Sequence, residues 1–596
     1  MTQLLNFPPL LSLMVSGADW TELEQADLLK QRWQELFDQI KPQLPHQTHT
    51  RLITGFRPGA EQNAVAFSHQ RGFDIHLLLA HKFNDTPGLA EAEKRFNIDR
   101  IVSLGRADDE INLTPNPFAM RDRLTLDFAD LLFIYWDAKC NNPENLASFK
   151  LISQAAQSRK PVVWMDPQAN LHWLDLTALD DASLILLKAH DYSPIRLLTW
   201  FKPIFQLSDT PLKIYLKQLF DPTINPNDES AELLAELTQS QSQAKAFNDI
   251  GRLNDLFSSL LHGDGRGFLA GVKKRISEFS PSHLWLQEHT DIRPQPTLIE
   301  AFTRHDQLAN KAGDLHRSNI WLLYGFAALA VVIAVSAEVW HLHWLAYAEL
   351  AVIASIMYRV WWGRKVKLHD KWIRHRYLAE QMRYCIMGYP LMTIPAPFRE
   401  PVWEVNNNKL ELNSAELWLL QRHLITTGIP CEQGKVYTPP YHNHALVDHV
   451  RNLVQNQMAY HKQHHNDKHI GHHRLHFLAE LSFLLTFIAV VAHLYIHDNW
   501  LLLFTAALPA VAAGIHGILT KLEMERISGQ SAQLYQKLSH MDLALARFAQ
   551  HADKGDDDWH LWVSLHYLAN ESEKTMSDNI TQWQHLIQKQ QTEIPA

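Results

Sequence analysis

Two pairs of long apolar runs constrain this chain more than any other feature. Ile320–Ala337 is uncharged and strongly apolar for eighteen residues, and after the polar turn Glu338–His343 a second run, Trp344–Trp362, begins. Phe477–Ile496, the turn His497–Asn499 and Trp500–Leu519 repeat the pattern. At ~1.5 Å per residue, each run reaches across a hydrocarbon core of ~30 Å. The reading is four membrane helices arranged as two tight hairpins, in contact with a lipid bilayer.

The competing reading is a pair of buried helical hairpins in a large soluble protein, which Glu349, Arg359, Glu480 and His516 inside the runs keep open. Flanking charge favours the membrane. Arg304, Lys311 and Arg317 precede the first hairpin, and Arg364, Lys365, Lys367 and Lys371 follow it. Lys462, Lys468 and Arg474 precede the second, Lys521 and Arg526 follow it, and neither tip contains Lys or Arg. A core hairpin has no reason for that asymmetry, whereas the positive-inside rule requires it. Trp340, Trp344, Trp361, Trp362 and Trp500 sit near the expected boundaries, as an aromatic belt would. A multi-pass protein follows, with both termini and everything between the hairpins in the cytoplasm.

At 596 residues the chain should contain several domains. The mean hydropathy is slightly negative, so the membrane part is a minority attached to large soluble parts. Net charge is −9 with acids and bases intermixed, and no long basic block marks a nucleic-acid surface. Cys140, Cys385 and Cys431 form no CxxC motif, disulfide framework or zinc signature, which fits a reducing cytosol. The first residues, MTQLLNFPPLLSLMV, lack a basic n-region and carry two prolines, which argues against a signal peptide.

From Leu10 to Pro167, short apolar runs alternate with helical stretches. Leu10–Val15, Thr50–Thr54, Asp74–Ala80, Asp99–Leu104, Leu131–Trp136 and Pro161–Met165 read as strands covered on both faces. Helices are expected near Thr21–Gln39, Ala60–Arg71, Pro87–Phe96, Pro117–Phe128 and Pro143–Ser158. The fold class is therefore an α/β doubly wound, Rossmann-like sheet, followed by a helical linker and an all-α membrane region. Ligands of such sheets bind beyond the carboxyl ends of the strands. There lie Gly17 and Ala18, then Gly55, Pro58, Gly59, Ala60 and Glu61, then Asp137 and Asn141. Glycines let a backbone approach a ligand, and the next helix N-terminus favours an anionic group. A nucleotide-like ligand is the natural expectation, while tight strand-to-helix turns also use glycine for steric reasons.

The run Leu52–Glu61, LITGFRPGAE, followed by a helix and Arg71-Gly72-Phe73-Asp74, resembles the "GxxxGAD, helix, G" segment of SLOG domains. These are Rossmann-like relatives of the DNA-processing protein A and cytokinin-activating LOG families. Ala129–Asp137, ADLLFIYWD, resembles the family's "aDlliavWDG" strand, and Lys160–Asp166, KPVVWMD, its closing strand. The resemblance covers roughly the first 167 residues and implies a sensor of nucleotide-derived signals. Where the family carries a "GGT" phosphate loop, this chain has Ala138 and then Asn141-Asn142-Pro143-Glu144. The PGGxGTxxE motif of LOG enzymes is missing too, so binding without turnover fits better. No catalytic residue, metal or resident cofactor is assigned, and Glu91, Glu93 and Arg95 read as a charged helix face. A membrane-tethered nucleotide hydrolase is the enzymatic alternative; a transport or structural protein with an inert α/β domain is another.

Beyond Pro167 the alternation fades. Ser183–Lys188 reads as one more strand, and Pro211–Phe220, Ser230–Leu261 and Phe268–Phe279 as amphipathic helices. Leu298–Ser318 should run as a helix straight into Ile320, with Gly313 its one weak point. Lys371–Tyr384 reads as a basic amphipathic helix, and its W-x-x-x-R-x-x-A-E-x-x-R pattern resembles the juxtamembrane helix of SLATT domains. Those are two-helix membrane effectors that often accompany SLOG domains. His461, His464, His465, His469, His472, His473 and His476 share a helix leading into Phe477. Without companion Cys or acidic ligands they read as a polar helix at headgroup level, although spacings of three and four suit zinc or nickel. Glu349 and Glu480 lie about one turn inside their runs and are the first candidates to line a pore.

The domain expectation is 1–167 ligand-binding, 168–300 helical linker and 301–384 first hairpin with flanking helices. A connecting region, 385–456, precedes the second hairpin with flanking helices, 457–538, and C-terminal helices, 539–596. The resemblances imply a homo-oligomeric sensor–effector of the bacterial inner membrane. In it the SLOG-like domain triggers the membrane helices to permeabilise or depolarise the membrane, in anti-phage defence.

Overall fold

The computed structural model describes residues 9–106, 117–139, 143–179, 181–188, 193–207, 212–220, 296–406, 409–432, 436–496, 498–552 and 559–587. The first six apolar runs form six strands: β1 (Leu10–Gly17), β2 (His49–Thr54), β3 (Asp74–His81), β4 (Arg100–Arg106), β5 (Leu131–Tyr135) and β6 (Val162–Met165). All pairings among them are parallel, and the sheet order is β4-β3-β2-β1-β5-β6. Every residue of β1 and β5 is buried, which is why their sequences are mostly apolar runs instead of alternating ones. The crossovers are helical: α1 (Ala26–Ile40), α2 (Ala60–Gln70), α3 (Leu89–Arg95), α4 (Pro117–Asp127) and α5 (Pro143–Gln157).

The sheet then departs from the expectation of a purely parallel one. Ser183–Lys188 is not a strand but part of helix α6 (Asp181–Lys188). Two strands the run pattern does not reveal, β7 (Leu171–Leu174) and β8 (Phe201–Ile204), extend the edge antiparallel to eight strands in all. Pro203 cannot donate to a ladder, and it sits on this edge strand. Two short helices follow α6, namely α7 (Pro194–Leu198) and α8 (Leu212–Phe220). The helices expected at Ser230–Leu261 and Phe268–Phe279 lie outside the described residues.

The apolar runs lie on long helices. α9 (Pro296–Val339) is one unbroken helix of 44 residues, so the soluble stretch before Ile320 and the first run are a single rod. Gly313 does not break it; a Cβ there would stand 2.7 Å from Trp372 Nε1, so the glycine marks where a tryptophan crosses the rod. α10 (Leu345–Val366) folds back on α9 through Leu323, Ile356 and Val360. After α11 (Leu368–Gly388) come α12 (Ala415–Thr427) and α13 (Asn443–Tyr495), the latter 53 residues long, with the hairpin β9 (Trp403–Asn406) and β10 (Lys409–Leu412) preceding α12. α14 (Trp500–Leu522), α15 (Met524–Ala552) and α16 (Trp559–Ile587) complete the described chain.

Among the described residues, three helical stretches are long and apolar enough to cross a membrane: Thr297–Val339, Pro439–Tyr495 and Trp500–His551. α10 carries Glu349, Arg359, Arg364 and Lys365 and is not one of them. The apolar parts expose large side chains, among them Leu484, Phe487 and Leu494 of α13 and Tyr347, Leu350 and Met357 of α10.

α11 is a correction of a different kind. It is not an amphipathic surface helix: sixteen of its residues are buried, from Leu368 to Gly388. Its bases are held inside the protein. Arg376 Nη2 and Arg383 Nη1 grip Glu380 at 2.6 and 2.9 Å, and Arg374 Nε reaches Glu416 at 3.0 Å. The histidines of α13 also have local work. His464 Nδ1 lies 3.1 Å from Ser531 Oγ and His465 Nδ1 3.0 Å from the Ser528 carbonyl, pinning α13 to α15. No group of three or more His, Cys, Asp or Glu is placed to hold a metal ion among the described residues.

Candidate functional site

In the sheet, β1 has β2 on one side and β5 on the other, so the chain reverses its direction of travel there. The carboxyl ends of these two strands bound the crevice in which doubly wound folds bind ligands. The structure brings most of the expected site residues to this place. Gly17 ends β1 beside Tyr135 of β5, and the Gly55–Glu61 loop follows β2. Ala18, half-buried, and Asp137, half-buried, flank the β1–β5 pair. Asn141 lies outside the described residues.

Each glycine has an internal reason for its identity. A Cβ on Gly17 would lie 2.9 Å from the Tyr135 Cβ, so the two strands need it to close up. One on Gly55 would lie 2.2 Å from Arg121 Nη1 and 2.4 Å from Glu61 Oε2. Gly59 has φ +83°, a left-handed conformation, and its Cβ would meet the Trp20 backbone nitrogen at 2.9 Å. Pro58 is exposed at the loop tip, and Ala60, fully buried, opens α2.

Glu61 is also fully buried. Its carboxylate accepts from the Arg57 backbone N–H at 2.9 Å, from Arg57 Nε at 2.9 Å and from Arg121 Nη2 at 3.2 Å. Arg121 Nε also donates to Asp122 at 2.8 Å, and Arg57 Nη2 donates to Ser16 Oγ at 3.1 Å. Arg57 and Arg121 both lie over the Phe118 ring, 5.7 and 5.6 Å from its centre. Two bases and two acids therefore balance beneath the crevice, and Arg57 is the base at its mouth. The acids of the rim are tied into turns: Asp19 Oδ1 accepts from the Thr21 N–H at 2.9 Å, and Asp137 Oδ1 from the Lys139 N–H at 3.0 Å. Burial, then the carboxylates of Asp137 and Asp166, push the Tyr135 phenol up to about 12. Arg121 and Asp122 were not legible as site residues, because α4 and its charges give no turn or glycine signal.

The opposite, amino-terminal end of the sheet holds a second constellation that the sequence did not mark as a site, although Asp130 and Lys160 lie in its motif strands. Arg422 of α12 is buried with Asp130, which begins the turn into β5; Nη1 to Oδ1 is 2.7 Å, and Nη2 donates to the Leu10 carbonyl at 2.7 Å. Asp130 also accepts from the Ser12 N–H at 3.0 Å. Lys160 Nζ, buried, donates to the Leu126 and Ala129 carbonyls at 2.6 and 2.7 Å; desolvation brings it down to about 8. A small cavity, ≈ 20 Å³, lies among Asp130, Lys160, Tyr215, Trp403, Trp418 and Arg422. Nearby, Arg100 Nη1 donates to the Thr427 and Ile429 carbonyls at 2.8 and 2.7 Å, and Arg51 Nη1 donates to that of Ile425. Two arginines thus cap the carboxyl end of α12, where the helix dipole and its orphan carbonyls favour cations. The Tyr437 backbone pairs with Ile101 and Ser103, covering the β4 edge.

From α12 the ion pairs continue outward. Glu416, in its first turn, meets Arg374 of α11, and on α11 Arg376 Nη1 reaches Asp306 of α9 at 3.2 Å. α9 then runs uninterrupted into the first apolar stretch. Of the two intramembrane candidates, Glu349 is half-buried on α10, while the Glu480 side chain on α13 is 67% exposed and pairs with His476 Nδ1 at 3.3 Å. No protein-family model matches this chain, and no curated protein or solved structure matches it either.

Proposed function

We propose that this protein is a membrane-bound sensor–effector of the bacterial inner membrane. Its α/β domain binds a nucleotide-derived signal at the β1–β5 crevice, and the membrane helices change their arrangement in response and let ions pass. One observation carries the reading most directly: the ion-paired route from Asp130 through Arg422, Glu416, Arg374 and Arg376 to Asp306 of α9. A domain merely tethered to a membrane needs no such bracing. A signal shifts an assembly only by its differential affinity for the two arrangements, and a braced route lets a change at the sheet be felt at the helices.

In this reading α10 is a fourth span, both termini face the cytoplasm, and several copies assemble. Glu349 and the outward-facing Glu480 then lie at contacts between helices or copies, because a carboxylate facing lipid is costly. A role in defence against phage rests on the SLOG-like and SLATT-like motifs alone. Equilibrium dialysis of the detergent-solubilised full chain with labelled nucleotides, with product analysis alongside, tests the sensing half. Saturable binding with no product is the expected result, and steady turnover would replace it with the hydrolase reading.

A further inference from the structure

α10 ends in an open depression of ≈ 480 Å³ lined by Met357, Val360, Trp361, Arg364 and Lys365. Its floor is Val360, which is buried against α9, and its walls are exposed: Met357 is 62% and Trp361 55% accessible. Lys365 Nζ stands 4.9 Å from the Trp361 ring centre, and Tyr358 lies 6.0 Å from the same ring, so the aromatic step is built from consecutive turns of one helix. Immediately beyond, Lys367 takes φ 50° and turns the chain into α11. The depression therefore changes character along its length, apolar at Met357 and Val360, aromatic in the middle and cationic at Arg364 and Lys365.

We infer that this depression binds an anionic phospholipid of the cytoplasmic leaflet, its phosphate on Arg364 and Lys365 and its acyl chain along Met357 and Trp361. The inference rests on the proposal that α10 spans the bilayer with its Arg364 end inward. The charge order fits that occupant and no soluble one: a free nucleotide or phosphate gains nothing from the Met357 wall, and a zwitterionic lipid gains little from two adjacent cations. Basic residues at this depth are each attracted to anionic lipid. Tryptophan beside a cation is the usual furniture of the headgroup level. Because α10 leads directly into buried α11, a lipid held here sits nine residues before Arg374 of the ion-paired route to the sheet, which makes the effector sensitive to leaflet composition.

The test is tryptophan quenching in proteoliposomes of the full chain, taking the difference between wild type and Trp361→Phe to isolate this ring. Bromine is placed on the acyl chain of either phosphatidylglycerol or phosphatidylcholine, the other lipid being unlabelled. The expected result is several-fold stronger quenching when the bromine is on phosphatidylglycerol, falling to parity in Arg364→Gln/Lys365→Gln. Equal quenching by the two lipids in wild type overturns the inference while leaving α10 in the membrane. A preference abolished by inorganic phosphate at constant ionic strength overturns it in favour of a free anion. Quenching by neither lipid removes α10 from the bilayer, and the inference falls with that placement. Unchanged quenching of the double variant by brominated phosphatidylcholine shows that it has folded.

Discussion

Arg422 and Asp130 are 292 residues apart in the chain, yet their side chains meet at 2.7 Å in the interior. The pair joins the connecting region between the two hairpins to the central strands of the sheet. Removing one partner of such a buried pair leaves an uncompensated charge and costs roughly 3–5 kcal/mol. Arg422→Met should therefore lower the unfolding midpoint sharply and expose the β9–β10 region to protease. Arg422→Met/Asp130→Asn should recover much of the loss, and midpoints of the three proteins in one detergent check this.

Gly55→Ala tests whether the crevice glycines serve the protein's own packing. The new methyl would meet Arg121 and Glu61 well inside contact distance, breaking a fully buried carboxylate from its arginines. A loss of about 1–3 kcal/mol is expected with no ligand present, as for other overpacked interiors. Gly72→Ala is the control: its φ is +65° but nothing lies within 4 Å, so only the left-handed strain of ~1–2 kcal/mol applies. Chemical denaturation of both variants should rank Gly55→Ala as the more damaging.

Glu573 of α16 is buried with Thr393 Oγ1 donating to Oε1, while Oε2 has no partner among the described residues. Desolvation lifts it to about 8 from the ordinary 4.5. The folded protein therefore keeps a proton that the unfolded chain gives up. Stability is full below about 4.5 and is lost as pH rises towards about 8, by at most ~1.4 kcal/mol per pH unit. Glu573→Gln should flatten that fall and stabilise the protein at pH above 8, read from unfolding midpoints across the range.

Arg100→Gln should loosen the cap on α12. Two charged hydrogen bonds, to Thr427 and Ile429, are lost, each worth about 1.5–3 kcal/mol. Hydrogen exchange should accelerate at Gly428 and at the Tyr437 and Ser103 amides across the β4 edge, with the β5–β6 centre unaffected.

The six parallel strands and their crossovers were legible because strands covered on both faces need unbroken apolar runs. β7 and β8 were not: LHWL and FKPI are four residues each, too short for a pattern, and FKPI contains a proline. The rod from Leu298 into the first apolar stretch was readable because nothing in the sequence stops it. The burial of α11 was not, since its arginines look solvent-facing until Glu416 and Asp306 are brought to them. At the crevice the turn positions were readable from glycine spacing, while the reason for each glycine came from Tyr135, Arg121 and Trp20, which only folding brings near.

In the proposed function the sheet and the membrane helices act as one device. Ion flux from proteoliposomes bearing the full chain, measured with a nucleotide shown to bind, tests it against Arg422→Met/Asp130→Asn. Nucleotide-triggered flux is expected in the wild type, and its loss in the double variant with nucleotide binding retained. Flux indifferent to the nucleotide, or equally triggered in both proteins, would contradict it.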